Sequence, residues 1–94
     1  EMEEKMSLTP LFTLSPDESG IVKTIQTDNA SPAQQQTIKR LMDLGLIENT
    51  KVICVGVSAF GSPRAFLIRG AVLALRKEEA SLILVEKIKD KSVL

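Results

Sequence analysis

The stretch that decides the fold is SPAQQQTIKRLMDLGLIENTKVICVGV, residues 31–57, which joins one helical pattern to one strongly apolar strand pattern. Ser31 is a typical helix N-cap, Pro32 suits the first helical position, and Gln34 can complete a capping box. These signals predict a helix that begins at Pro32. A helix this short cannot bury an apolar stripe alone, so the rest of the chain must cover it.

The end of this helix is marked equally well. Ile38, Leu41 and Met42 recur at helical spacing, so we expect all three to face the core. Gly45 supplies the left-handed residue that ends a helix, and Leu46 follows where a Schellman turn would return it to Leu41. The sequence therefore predicts a capped helix with one buried side.

On both sides of this stretch, short segments alternate in the manner of strands and are separated by turn-forming residues. The later connections are too short for parallel crossovers, which need about a dozen residues. We therefore predict a mostly β fold with one main helix, as a small antiparallel barrel of about five strands that the helix caps. The predicted strands are residues 20–26, 51–57, 64–69, 72–76 and 81–88, with a single helical turn or tight connector at 77–80 and an extended lead-in or short turn at 8–14.

Length and charge restrict the possible functions. The 94 residues predict one domain over residues 8–88, with a flexible tail at 1–7 and another at 89–94. Twelve acidic residues balance twelve basic ones, which argues against nucleic acid as a partner. No apolar run approaches the ~18 residues that span a bilayer, so we expect no membrane insertion and a cytoplasmic location.

Catalytic and metal sites find little support in the residue types. One cysteine and no histidine exclude Cys/His metal sites, and we expect no metal, cofactor or catalytic residue. Cys54 lies among valines and is expected to be inert core. Glu78 and Glu79 are adjacent in a turn and are interpreted as solvated. Four basic residues are interpreted as edge protection rather than a phosphate site: Arg64, Arg69, Arg76 and Lys77.

Apolar residues occupy both faces of several predicted strands. If Ile83 and Val85 face inward, Leu82 and Leu84 must face outward. The same doubling places Leu67 and Val72 outward on their strands. A small barrel has one interior and the helix covers part of the remainder, so we predict an exposed apolar face for a partner or a second copy of this chain.

Several short runs carry a family resemblance: KRLMDLGL (39–46), TKV (50–52), GSP (61–63), RG (69–70), ALR (74–76), EA (79–80) and ILV (83–85). Their order resembles the ferrous iron transport protein A (FeoA) family over residues 11–88. The same SH3-like domain also occurs in iron-dependent repressors. The resemblance implies an SH3-like domain whose structural signature residues are Leu41, Met42, Leu44, Gly45, Gly70 and Arg76.

The resemblance also implies a function. It suggests a small cytoplasmic accessory of ferrous iron uptake that is not an enzyme and that binds and modulates FeoB, the membrane GTPase of the transporter. The alternative is a stand-alone regulatory module, related to the C-terminal domain of iron-dependent repressors, that senses a metal or binds a repressor partner. The residues expected to contact the partner are Phe60, Pro63, Arg64, Leu82 and Leu84.

The chain departs from the family pattern in its turns and in one loop. Asp17 and Asn49 stand where the family often has glycine, and both residue types tolerate a left-handed backbone. The loop that commonly holds an aspartate here has Ser62, and its tip is Phe60. We therefore expect the turns to persist and the loop to offer an apolar contact in place of a carboxylate.

Overall fold

A computed structural model of the chain describes residues 8–88; the tails predicted at 1–7 and 89–94 lie outside this range. Its sheet has the strand order β1-β6-β2-β3-β4-β5, with every neighbouring pair antiparallel. The prediction of a mostly β fold with one main helix is confirmed. The elements are β1 (Leu8–Pro10), a 3-10 turn (Leu11–Thr13), β2 (Ser19–Ile25), α1 (Pro32–Asp43), β3 (Lys51–Val57), β4 (Arg64–Ile68), β5 (Ala71–Leu75), α2 (Lys77–Ala80) and β6 (Ile83–Lys87).

The short strand β1 is a sixth strand, where the sequence predicted an extended lead-in or short turn; a turn does follow it at Leu11–Thr13. Its three residues are too few for an alternating pattern to be recognised. Their pairing with β6, which places Thr9 opposite Val85, is a long-range contact. The segment is therefore a strand because of its neighbour rather than its own sequence.

Both ends of α1 follow the predicted signals. The Ser31 hydroxyl oxygen accepts a hydrogen bond from the Gln34 backbone N–H at 3.1 Å, and the Gln34 side-chain oxygen accepts one from the Ser31 N–H at 2.9 Å. At the other end, the Leu46 N–H donates to the Leu41 carbonyl at 3.0 Å, while Gly45 has φ +111°. This is the Schellman arrangement, so the capping prediction is confirmed.

The expectation that Met42 faces the core is wrong. Its side chain is 47% exposed, whereas Ile38 and Leu41 are buried. Met42 lies one helical position, about 100°, beyond Leu41, and the sheet contacts only a narrow stripe of α1. The next apolar residue, Leu44, is also exposed at the helix end.

The residues that replace glycine keep the turns. Asp17 has φ +75° and Asn49 has φ +72°, so both adopt the left-handed backbone expected of them. Between β4 and β5, Arg69 (φ +52°) and Gly70 (φ +83°) form the two-residue connection, with Ile68 opposite Ala71. Positive φ at both central positions is the type I′ turn that suits a tight hairpin.

One apolar core lies inside the bent sheet. Cys54 is fully buried within it, and a bulge lies between Cys54 and Gly56, which bends β3. The sheet edges are β1 and β5, and the 3-10 turn after β1 contacts α2, which follows β5. The main cluster comprises Leu11, Leu14, Val22, Leu41, Leu46, Val52, Cys54, Phe66, Ile68, Leu75, Ala80, Ile83 and Val85.

Candidate functional site

The loop between β3 and β4 presents an apolar tip on a hydrogen-bonded frame. The Gly61 N–H donates to the Ser58 carbonyl at 2.9 Å, and the Ser58 hydroxyl donates to the Ser62 carbonyl at 2.8 Å. The Lys77 N–H donates to the Ser62 hydroxyl oxygen at 3.1 Å, which fixes the loop to the start of α2. Phe60 projects from this frame with 95% of its surface exposed. Because the loop is held in place, Phe60 can contact a partner with little ordering cost.

Arg64 joins this loop to the rest of the molecule. Its guanidinium donates to the Leu14 carbonyl at 2.7 Å and to the Gly61 carbonyl at 3.3 Å. It also lies 4.5 Å from the centre of the Phe12 ring, a cation–π distance. These internal contacts half-bury Arg64, while the adjacent Pro63 is exposed. Leu14 lies 50 positions away in the chain, so the sequence alone could not reveal this role.

Apolar residues also cover the outside of the sheet at β3, β4 and β5. Ile53 lies opposite Leu67, and Leu67 lies opposite Val72, which is 61% exposed. Lys51 borders this surface at the start of β3, two residues before Ile53 on the same side of the strand, and the residues beyond it are apolar. We call this surface the outer face; its residues are Ile53, Val55, Ala65, Leu67, Val72 and Ala74. The apolar surface predicted from doubled strand patterns is thus present at Leu67 and Val72.

Leu82 and Leu84 lie in a different place. Both are half-buried, and Leu84 has Pro10 opposite it on one side and Thr24 on the other. The neighbouring surface is polar and carries the ion pair between Lys23 and Glu86 at 3.7 Å. Because β2 separates β6 from β3, these leucines do not extend the outer face.

The predicted partner residues therefore form two groups. Phe60, Pro63 and Arg64 belong to the loop at the end of β3 and β4, whereas Leu82 and Leu84 belong to the region of β6. Sequence reasoning did not name Ile53 and Val55 as contacts. The available signal was the apolar character of both faces of β3.

Glu79 corrects the interpretation of the paired carboxylates as solvated. Its Oε2 receives a hydrogen bond from the Arg40 guanidinium at 2.6 Å, and its Oε1 receives one from the Arg76 backbone N–H at 2.9 Å. This side chain thereby joins α1 to the start of α2. Glu78, by contrast, is exposed. The partner of Glu79 lies 39 positions away, which hides the contact from local sequence reasoning.

Within residues 8–88, no three His, Cys, Asp or Glu side chains are grouped so that they could hold a metal ion. No helix in that range has the length and apolar character needed to cross a membrane.

Glu18 has the one clear perturbation of a pKa in the described range. Its carboxylate accepts a hydrogen bond from the Ser15 backbone N–H at 2.8 Å and lies 3.2 Å from Lys87 Nζ. The backbone hydrogen bond, followed by the contact with Lys87, lowers the pKa of Glu18. Glu18 lies at the β2–β6 side of the molecule. Its contacts contribute to the stability of the fold, and it is not one of the outer-face residues.

Comparison with known proteins identifies the domain type. The FeoA domain family matches residues 9–87. A FeoA-like protein from Clostridium acetobutylicum is similar in structure, with a TM-score of 0.79 and 26% identity over 96% of this chain and 98% of that one. A comparison with curated proteins gives no significant match.

Two further structures place the fold. Stenotrophomonas maltophilia FeoA, solved with zinc and described as an SH3 domain protein, has a TM-score of 0.72 and 25% identity over 86% of this chain and 96% of that one. A manganese-dependent transcriptional repressor shares the fold, with a TM-score of 0.73 and 18% identity over 90% of this chain and 44% of its own. The SH3-like fold expected from the sequence is confirmed. The chain therefore belongs to the FeoA domain family, a family of small accessory domains of ferrous iron transport.

Proposed function

We propose that this domain acts in the cytoplasm as a non-catalytic accessory that binds the cytosolic part of a FeoB-type membrane GTPase and modulates it. The observation that carries the proposal is the apolar outer face, where Val72 is 61% exposed. Exposed apolar patches of this kind are typical of interaction surfaces. Membership of a ferrous iron transport family supports the transporter subunit as the partner.

The loop would act together with the outer face. Phe60 is almost fully exposed at the end of β3, the strand that contributes Ile53 to the surface. Aromatic side chains that enter a partner's pocket commonly dominate binding energies. The hydrogen bonds around Ser58 and Ser62 hold the loop before binding. We assign Phe60 and Pro63 to direct contact and Arg64 to positioning, because the Arg64 guanidinium is engaged within the domain.

Isothermal titration with the purified cytosolic GTPase domain of the transporter tests the proposal. Val72→Asp would place a charge in the outer face and should weaken binding at least about tenfold, equivalent to ~1.4 kcal/mol. Phe60→Ala should weaken it similarly. Hydrolysis of GTP measured with and without this protein reports modulation, and the two variants should reduce any change of rate.

Leu8→Asp is the matched control for Val72→Asp. Leu8 is also exposed, but it lies on β1, at the opposite edge of the sheet. It should leave binding unchanged. Absence of binding by the wild type, or equal loss in both aspartate variants, would overturn the proposal. The alternative regulatory module would instead reveal itself as a rise of melting temperature when Fe²⁺ or Mn²⁺ is added without a partner.

A further inference from the structure

The edge strand β5 has no charged residue, proline or bulge within its five residues, and its cations lie beyond its ends. Within residues 8–88 it pairs with β4 alone, so the backbone groups on its other side have no strand partner. Natural edge strands are commonly protected by charged side chains, proline or bulges. The segment Ala71–Leu75 reads Ala-Val-Leu-Ala-Leu and pairs with β4 in continuous register. This edge can accept an added strand.

Positive charge lies at both ends of β5. Arg69 precedes it in the hairpin turn, and Arg76 and Lys77 follow it; all three are exposed. None has a carboxylate within 4.0 Å among the described residues. At the end of β5 that leads into α2, the Glu79 carboxylate is paired with Arg40. Within the described part of the chain, Glu78 is then the one remaining carboxylate beside Arg76 and Lys77, so this end carries a net positive charge.

This charge arrangement disfavours a second copy as the occupant. If two β5 strands paired antiparallel through Leu73, the turn residue Arg69 of one copy would approach Arg76 and Lys77, which follow β5 in the other. Parallel pairing would bring identical cations close to each other. Like charges brought this close repel each other. The edge is apolar in its centre and cationic at both ends, so it is not complementary to itself.

The geometry points to a docking site at β5 for an extended apolar segment flanked on both sides by Asp or Glu. The segment adds as a strand beside β5, and its backbone groups pair with those of Ala71–Leu75. Its acidic flanks face Arg69 at one end and Arg76 at the other, where the Lys77 ammonium lies 5.6 Å from the centre of the Phe12 ring. This inference rests on the proposed function only in that such a segment would belong to the transporter partner.

NMR titration of the ¹⁵N-labelled full chain tests this site. The probe is the peptide Glu-Glu-Val-Thr-Val-Thr-Val-Glu-Glu, and the control is the same peptide with Lys in place of every Glu. The acidic peptide should shift the amide signals of Ala71–Leu75 saturably, with an affinity that falls as salt is added. The Lys peptide should bind at least about tenfold more weakly, because it meets like charge.

Charge reversal provides the matched variants. Arg76→Glu, at the end of β5, should weaken binding of the acidic peptide about fivefold. Lys39→Glu changes the net charge equally but lies on α1, outside the sheet, so it should have little effect. Thermal unfolding verifies that both variants fold. Sedimentation at the NMR concentration should show a monomer.

Four results would overturn the inference: shifts confined to other strands, equal binding of the two peptides, equal effects of the two charge reversals, or self-association that protects the β5 amides. Its failure is distinguishable from that of the proposed function. If the GTPase domain binds and Arg76→Glu leaves that affinity unchanged, the strand site fails while the accessory function stands. If the acidic peptide binds at β5 and the GTPase domain does not bind, the proposed accessory function fails while the strand site stands.

Discussion

The two edges of the sheet meet the solvent differently. At one edge, β1 is three residues long and ends in Pro10, and the chain then turns inward so that Leu11 is fully buried. At the other edge, β5 is five residues long, contains no proline or charge, and leaves Val72 exposed. The two edges of one sheet therefore differ in exposure. The β1 edge is short and leads directly into the core, whereas the β5 edge is exposed to solvent.

This difference would be tested most strongly by truncating one side chain at each edge. Leu11→Ala removes a fully buried side chain and should lower the free energy of unfolding by about 2–5 kcal/mol. Val72→Ala should lower it by about 0.5 kcal/mol or less, as for other surface changes. Urea denaturation measures both. Equal losses would show that β5 is as well packed as the β1 side.

Hydrogen exchange compares the edges without a mutation. β6 is paired on both sides, by β1 and β2, and its amides should exchange only through near-global opening. Amides of β5 that point away from β4 should exchange at least about 100-fold faster. Exchange followed by NMR gives both rates in one sample. Slow exchange along the whole of β5 would mean that this edge is covered in solution.

The turn that starts β5 should be sensitive to its glycine. Gly70 has φ +83°, so Gly70→Ala would force a side chain into the left-handed region at a cost of about 1–2 kcal/mol. Gly70→Asn is the control and should cost less, because asparagine tolerates this backbone. Thermal denaturation measures both. Equal effects would contradict the dependence of the β5 edge on this type I′ turn.

The smallest effect is expected from Glu18 beside the β1 edge. The folded-state pKa of Glu18 lies below its usual value of 4.5, so its stabilising contribution is present above that pH and is lost as the pH falls through the folded-state pKa. Glu18→Gln should therefore lower the melting temperature slightly at pH 7. It should also make the melting temperature fall less steeply as the pH is lowered. High salt should reduce the part of this change in melting temperature that comes from the ion pair between Glu18 and Lys87. Glu78→Gln, at an exposed carboxylate, is the control; an equal change there would contradict the assignment.

Local signals in the sequence were sufficient for much of the fold. The caps at Ser31 and Gly45 and the left-handed turns at Asp17 and Asn49 depend on residues close together in the chain, and all four predictions are confirmed. The assignment of Met42 to the core is wrong because helical spacing gives a face but not the width of its contact with the sheet.

The candidate site was less accessible to such reasoning. Alternation placed Leu67 and Val72 outward, but it equally placed Leu84 outward and could not show that Pro10 and Thr24 flank it. Likewise, the contact of Arg64 with the Leu14 carbonyl depends on tertiary packing. Strand order decides which outward residues become neighbours, and short strands with apolar residues on both faces do not encode that order locally.

The pairing of β1 with β6 has a consequence for how this domain is joined to other chains. Leu8 lies opposite Glu86, so the backbone enters and leaves the sheet on neighbouring strands. Domains with adjacent ends can be appended or inserted without a linker that crosses their surface. In the manganese-dependent repressor the same fold accounts for only part of a longer chain. An attachment at β1 and β6 leaves three strands, β2, β3 and β4, between the nearer attachment strand and β5, so a segment joined there is not a neighbour of the β5 edge in the order of the sheet.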